Sequence, residues 1–338
     1  MTQTLELLGL PPTFTARIPT MDDIQRVVDL YNVINMHLLG TETDTVEDVT
    51  REWEDPEWDF KESMRLIFKD DQLVVVVALY HANELPVRPF FEVAMHPDYE
   101  DGELGDTLIQ WGEQNAQRLL AMLPEHAKFT LVTDMLPTHA KQRALFERNG
   151  YITWGQQWEK MLIEMTQEPP AVVFPPGIRI VTATDYRDFR AIYEARRASF
   201  KDHRNYVERD PEKGYEIWQH WALGDPKHDP TLWFIALDGD TIAGLNLCRP
   251  EASDAPDEGY VGLLGVLDDY RGKGLGKALL KHSFREFWLR GKRKVSLWVD
   301  GSSLTGANHL YTGVGMHVDR AYVTYEKVIR DGEELSRQ

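Results

Sequence analysis

The sequence predicts an α/β protein of two tandem domains, each a mixed, mostly antiparallel sheet flanked by helices. Three observations carry that reading. The chain repeats itself. A proline-rich segment separates the copies. The second copy holds an apolar strand that runs through a glycine-rich turn into a helix.

Four pairs of segments define the repeat. Ala16 to Asp23 parallels Ile178 to Asp185, and in each copy a short strand precedes an acidic cap and an amphipathic helix, Ile24 to Asn32 and Tyr186 to Arg196. Val93 to Tyr99 parallels Leu264 to Tyr270, and Ala144 to Tyr151 parallels His309 to Met316. Each copy closes on a similar strand, Gln157 to Leu162 and Thr324 to Ile329. Between the copies lie Glu168-Pro169-Pro170 and Pro175-Pro176-Gly177, which resist helix and sheet ladders. The expected organisation is a degenerate N-terminal domain over 1–167, a linker over 168–177 and a ligand-binding domain over 178–338.

The remaining elements follow in order. Asp70-Asp71 separates strands Met64 to Phe68 and Leu73 to His81. Asp238-Gly239-Asp240 separates Leu232 to Leu237 and Thr241 to Arg249, a good hairpin signal. The strand Tyr260 to Val266 leads into the turn, and Ala278, Leu279, Leu280, Phe284 and Phe287 then recur at helical spacing. Lys294 to Asp300 is the next strand.

The turn reads Arg271-Gly272-Lys273-Gly274-Leu275-Gly276-Lys277. Glycines at a strand-to-helix turn let backbone N–H groups converge without Cβ obstruction. Such a nest at a helix start binds phosphate, and Arg271, Lys273 and Lys277 add cationic donors. A P-loop does not fit. With Gly276-Lys277 as its Gly-Lys pair, the first glycine falls on Arg271 and the hydroxyl falls on Ala278. The Gly-x-Gly-x-x-Gly dinucleotide fingerprint departs in spacing, Gly-x-Gly-x-Gly after a four-residue turn, and stays a minor alternative because Asp300, at the end of the next strand, could imitate its ribose-binding acid.

The remaining pattern resembles the GCN5-related N-acetyltransferase (GNAT) superfamily. Its pyrophosphate signature, Arg/Gln-x-x-Gly-x-Gly/Ala, matches Arg271 to Gly276. Asn308-His309-Leu310-Tyr311 and Gly315-Met316 resemble the family's later Asn-x-x-Ala-x-x-Leu-Tyr-x-x-x-Gly-Phe segment. Two departures stand there: the leading Asn falls on Ser302 or Ser303, and Met316 replaces Phe. The duplicated architecture resembles mycothiol synthase relatives, without carrying over their substrate.

The resemblance implies two GNAT-like domains and an N-acetyltransferase that moves an acetyl group from acetyl-CoA to a primary amine by direct attack, without a metal. In that reading Arg271, Gly272, Lys273, Gly274, Leu275, Gly276 and Lys277 cradle the pyrophosphate. Leu264 and Val266 pair with the pantetheine, and the Val266 N–H is the candidate oxyanion donor. Asn308 bonds the cofactor arm, and Tyr311 is the candidate general acid. Glu258, Asp257, Tyr260 and a water chain are alternatives for the base. His203 is a candidate acceptor-binding residue, with a solvated loop histidine as the alternative. A rival reading is a non-catalytic acyl-CoA sensor or interaction module; Tyr311 and Asn308 favour the enzyme.

The first copy lacks this chemistry. Aligning Tyr99 with Tyr270 puts Glu100 at Arg271, Asp101 at Gly272, Glu103 at Gly274 and Asp106 at Lys277. Carboxylates there repel a pyrophosphate, and Phe146 replaces Tyr311. The N-terminal copy is therefore expected to have lost acyl-CoA binding.

Composition narrows the class. The 338 residues suit two domains, and the net charge of −18 argues against a nucleic-acid binder while suiting a cationic acceptor. The single Cys248 excludes an intramolecular disulfide framework and lies in an apolar run, as a buried strand thiol would. No basic-then-apolar leader and no bilayer-length apolar run are present, so the expectation is a cytoplasmic protein, monomer or homodimer, acting on a small amine or a peptide N-terminus with no membrane partner.

Overall fold

The computed structural model describes residues 9–55, 57–81, 85–102, 104–201, 209–301 and 307–335. By internal contacts the chain forms two compact units, Met1–Gln156 with Tyr322–Ser336, and Gln157–Ala321.

The first unit runs β1 (Thr15–Arg17), α1 (Ile24–Leu39), α2 (Val46–Trp53), α3 (Phe60–Ser63), β2 (Met64–Lys69), β3 (Gln72–Tyr80), β4 (Phe90–Met95), α4 (Leu104–Ala116), β5 (Phe129–Met135) and α5 (Ala140–Arg148), ending in the first part of β6 (Ile152–Glu164). Neighbouring strands β1 to β4 pair antiparallel, whereas β4 meets β5 in parallel. Strand β3 is buried along both faces. Val75, Val77 and Leu79 face the core under α4, and Val76 and Ala78 face the core under α1 and α2. That double burial explains its unbroken apolar run, which a one-sided strand would interrupt with polar residues.

The second unit continues with the end of β6, then β7 (Ile178–Thr182), α6 (Ala183–Tyr186), α7 (Phe189–Ser199), α8 (Pro211–Trp218), β8 (Trp233–Asp238), β9 (Thr241–Arg249), β10 (Glu258–Val266), α9 (Leu275–Leu289), β11 (Lys294–Asp300), α10 (Ala307–Thr312) and the start of β12 (His317–Arg330). Again the pairs are antiparallel except one, β10 with β11. Each unit is thus a mixed, mostly antiparallel sheet covered by helices.

Two features differ from the sequence expectations. The helix expected over Tyr186 to Arg196 is broken: Arg187 takes φ 57°, and the Asp188 side chain accepts from the Ala191 N–H at 2.9 Å, starting α7 afresh. The closing strands are exchanged. Gln157 to Glu164 sits in the second unit, where Trp158 to Glu164 pairs antiparallel with all of β11. The segment from Tyr322 sits in the first unit, where Val323 to Arg330 pairs with β5. The compact units therefore part within β6 and β12, away from the proline-rich segment. Residues 165–177 form neither helix nor strand, and Glu168 of that segment bonds Arg285 on α9 at 3.0 Å.

Cys248 is fully buried on β9, where burial pushes its thiol pKa up and leaves it an unreactive core side chain. No helix among the described residues is long and apolar enough to cross a membrane.

Candidate functional site

The site of the second unit begins where two strands part. β10 pairs with β11 only over Glu258 to Tyr260. Beyond that point β10 follows β9 alone, with a bulge between Val261 and Leu263. A lone glycine inside a strand, here Gly262, was the sequence signal for that bulge, and the sequence reading missed it.

The register decides what faces the gap. The Leu267 N–H bonds the Ala243 carbonyl at 3.1 Å, so Leu267 and Ala243 form a hydrogen-bonded pair. Antiparallel pairs alternate, so Val266 opposite Gly244 and Leu264 opposite Asn246 turn their N–H and C=O groups away from β9. Those groups point into the gap. Gly265 lies between them, and a Cβ there would stand 2.4 Å from the Ser199 hydroxyl oxygen, so α7 can end against this strand only if the residue is glycine.

The turn that follows carries two left-handed glycines, Gly272 at φ 71° and Gly274 at φ 80°. A Cβ at either would meet nothing within 4 Å; backbone conformation, not space, requires glycine. Gly274 caps α9, and its carbonyl accepts the first intrahelical bond from the Ala278 N–H at 3.0 Å. The amides of Leu275, Gly276 and Lys277 therefore lie ahead of the helical ladder, at the positive end of the dipole.

The basic residues around this turn divide the work. Arg271 folds back over it: Nε donates to the Val266 carbonyl at 3.0 Å, one terminal nitrogen donates to the Ser199 carbonyl at 2.9 Å, and the other pairs with Asp268 at 2.8 Å. The guanidinium thus ties β10, the turn and the end of α7 together. Lys273 is exposed, with Nζ 5.6 Å from the centre of the Tyr270 ring. Lys277 joins Lys281, Phe284 and the segment from Thr166 to Val173 around a cavity of about 590 Å³.

Helix α10 reaches the same region through Leu310, and its next residue, Tyr311, packs in the apolar core of the second unit. A Cβ on Gly276 would lie 3.5 Å from both Val266 and Leu310, so the strand end, the helix start and α10 meet there. Tyr311 is 9% exposed, and burial pushes its phenol up to about 12. It stays protonated, and able to donate, throughout the neutral range. The Asn308 amide nitrogen donates to the Gly301 carbonyl at 2.9 Å and to Glu159 at 3.4 Å, while its buried Oδ1 has no hydrogen-bond partner among the described residues.

Glu258, which the sequence reading weighed as a base against a solvated loop acid, is not a loop residue. It is the first residue of β10, 6% exposed, and its carboxylate sits 3.0 Å from the buried Lys160 ammonium. Lys160 also donates to Asp254 at 2.8 Å, and Arg320 bonds the same Asp254. Eight residues of strand, roughly 26 Å, separate Glu258 from Val266, at the paired rather than the open end. Asp257 is largely exposed beside Lys294, and His203, Ser302 and Ser303 lie outside the described residues.

The corresponding turn of the first unit is filled by its own ion pairs. Glu100 meets the His139 ring at 2.7 Å, Asp101 pairs with Lys141 at 2.7 Å, and Asp106 with Arg148 at 2.9 Å. Among its described residues no φ is positive. Phe146, opposite Tyr311 in the repeat, is fully buried.

Comparison with known proteins agrees with this geometry. The model of the Acetyltransferase (GNAT) family matches residues 189–316, from the start of α7 to the Gly315 turn. The crystal structure of a GCN5-related N-acetyltransferase from Sphaerobacter thermophilus is 30% identical, with 98% of this chain and 100% of that chain covered at a TM-score of 0.78. The chain belongs to the GCN5-related N-acetyltransferase family. It is an acyltransferase of that family. Among curated GNAT proteins, a mycothiol acetyltransferase from Thermobispora bispora is 28% identical over 239 residues, covering 67% of this chain and 72% of that protein. A second, from Catenulispora acidiphila, is 31% identical over 188 residues, covering 54% of this chain and 57% of that protein. A tandem GNAT protein from the clavulanic acid biosynthesis pathway, 12% identical, shares the fold over 95% of this chain at a TM-score of 0.64.

Proposed function

We propose that the second unit binds acetyl-CoA and transfers its acetyl group to a primary amine by direct attack. The observation that carries this is the strand gap that runs into the glycine turn: outward backbone groups of Leu264 and Val266, followed by the unladdered amides at the start of α9.

Each feature suits one part of the donor. The amides of Leu275, Gly276 and Lys277 are the groups to hold the pyrophosphate, and Lys273 adds charge. Arg271 acts mainly by holding the turn in shape. The Leu264 backbone and the unpartnered Asn308 Oδ1 suit the amides of the pantetheine arm. Lys277 and Lys281, beside the 590 Å³ cavity, suit the nucleotide phosphate.

Bound acetyl-CoA supplies the thioester carbonyl. An outward N–H of β10 stabilises charge developing on the carbonyl oxygen as the amine forms its new C–N bond. Tyr311 gives its proton to the sulfur as the C–S bond breaks, so the thiol leaves neutral. The amine proton passes to water; Glu258, held by Lys160, serves the strand rather than this transfer. The first unit, its turn closed by ion pairs, takes no acetyl-CoA. The names of the curated relatives make mycothiol-related amines the first acceptors to test.

The test is calorimetric titration with acetyl-CoA, followed by thiol release in the presence of amines. One site per chain with amine-dependent release supports the reading. No binding discards it, and two sites overturn the assignment of the first unit.

A further inference from the structure

In the first unit β4 and β5 part as β10 and β11 do, after one pairing at Phe90 and Val132. The gap opens into a cavity of about 450 Å³, within the range of about 300–1,000 Å³ usual for small-molecule sites. Its occupant cannot be the donor of the second unit, because the turn at its mouth is filled by Glu100, Asp101 and their partners.

One end of the cavity is lined by three carboxylates from three places: Glu92 on β4, Glu52 on α2, and Asp44 between α1 and α2. Their partners are all neutral. Tyr31 and Tyr80 both donate to one Glu92 oxygen, at 2.9 and 2.8 Å. Asp44 accepts from Asn35 at 2.6 Å and Thr43 at 3.0 Å. Among the described residues no Lys or Arg pairs with any of the three. Lys141 and His139, also on the cavity lining, are engaged by Asp101 and Glu100 at the other end.

Half-buried carboxylates without a cation are unfavourable unless they take up protons or meet a positive ligand. Burial first, then the charges of Glu92, Asp44 and Asp55, raises Glu52 to about 8; Tyr80 from β3 and Tyr31 from α1 also face it. Glu92 and Asp44 are raised as well, chiefly by burial. The three groups do not converge as metal ligands: no cluster of three or more His, Cys, Asp or Glu among the described residues is arranged to hold an ion. Between them and the far end run Ile34, Leu38, Phe90 and Leu136, an apolar wall for a hydrocarbon chain.

We propose that this cavity binds an aliphatic polyamine, with ammonium groups at Glu92, Glu52 and Asp44 and the methylene chain along the apolar wall. Carboxylates beside aromatic rings recognise ammonium through ion pairing and ring quadrupole together, and Tyr31, Tyr80 and Phe90 supply the rings. The proposal goes beyond acyl transfer, since its residues all belong to the first unit.

The experiment is calorimetry of the whole protein with spermidine at about 150 mM salt, where general attraction to an acidic surface is screened beyond about 8 Å. One saturable site is expected, weakened tenfold or more by Glu92→Gln and by Glu52→Gln. If Glu92→Gln does not fold, Glu52→Gln carries the test. Arg271→Glu is the control, and keeps spermidine binding whether or not it loses acetyl-CoA. No saturable site in the wild type, or a site that neither substitution weakens, overturns the proposal.

Discussion

The Arg271 guanidinium donates to the Val266 carbonyl at 3.0 Å. That bond fixes the peptide at the end of β10, on the side facing the strand gap, to the turn that precedes α9. An arginine that the sequence marks as a phosphate contact is in the fold a brace between strand, turn and the end of α7 at Ser199.

Arg271→Glu removes two charge-assisted bonds to carbonyls and the ion pair with Asp268, and places a negative charge at the turn. Each such bond contributes about 1.5–3 kcal/mol, so acetyl-CoA affinity is expected to fall at least about a hundredfold. Calorimetry reads this directly; unchanged affinity would remove the turn from the donor site.

Tyr311→Phe keeps the ring in its packing and deletes the proton. Loss of a general acid costs about 10²–10⁴ in rate, so kcat falls while acetyl-CoA affinity holds. Because burial raises the phenol to about 12, its ionisation lies above the working range. The ratio of wild-type to variant kcat is therefore expected to stay level from neutrality to pH 10, and to fall only as the phenol loses its proton above that. A wild-type rate in the variant refutes the role.

Lys160 and Glu258 form a buried pair, so removing one partner strands the other. Lys160→Met is expected to destabilise by about 3–5 kcal/mol, read by denaturant unfolding. Glu258→Gln in that background should recover part of the loss. Glu258→Gln alone should leave kcat well above the hundredfold loss that follows removal of a general base. A loss of that size would restore Glu258 as the base.

The exchanged strands make the halves interdependent. A fragment of residues 178–338 lacks Trp158 to Glu164, leaving that edge of β11 without its partner over seven positions. Such an edge invites aggregation. The fragment is expected to be insoluble or to unfold without a cooperative transition, and to recover solubility when extended back to residue 157. A well-folded fragment would contradict the exchange.

Local pattern was enough for much of this. The strand Lys294–Asp300 and the strand Thr241–Arg249 follow from alternation and turn residues, and the structure has both as read. Gly272 and Gly274 marked the glycine turn because backbone conformation is a local property, and both take positive φ. The burial of Glu258 against Lys160 was not legible, because sequence spacing does not reveal a cation that arrives from 98 residues away.

The sequence by itself determined the repeat, the order of elements and which copy carries the glycine turn, since each is written in neighbouring residues. The tertiary structure decided which sheet each closing strand joins. Gln157 to Leu162 and Thr324 to Ile329 are so alike in pattern that neither names its partner; only packing against β11 or β5 does. It also decided that Asp44, Glu52 and Glu92 share one cavity, because burial and charge repulsion act between residues that only the fold brings near.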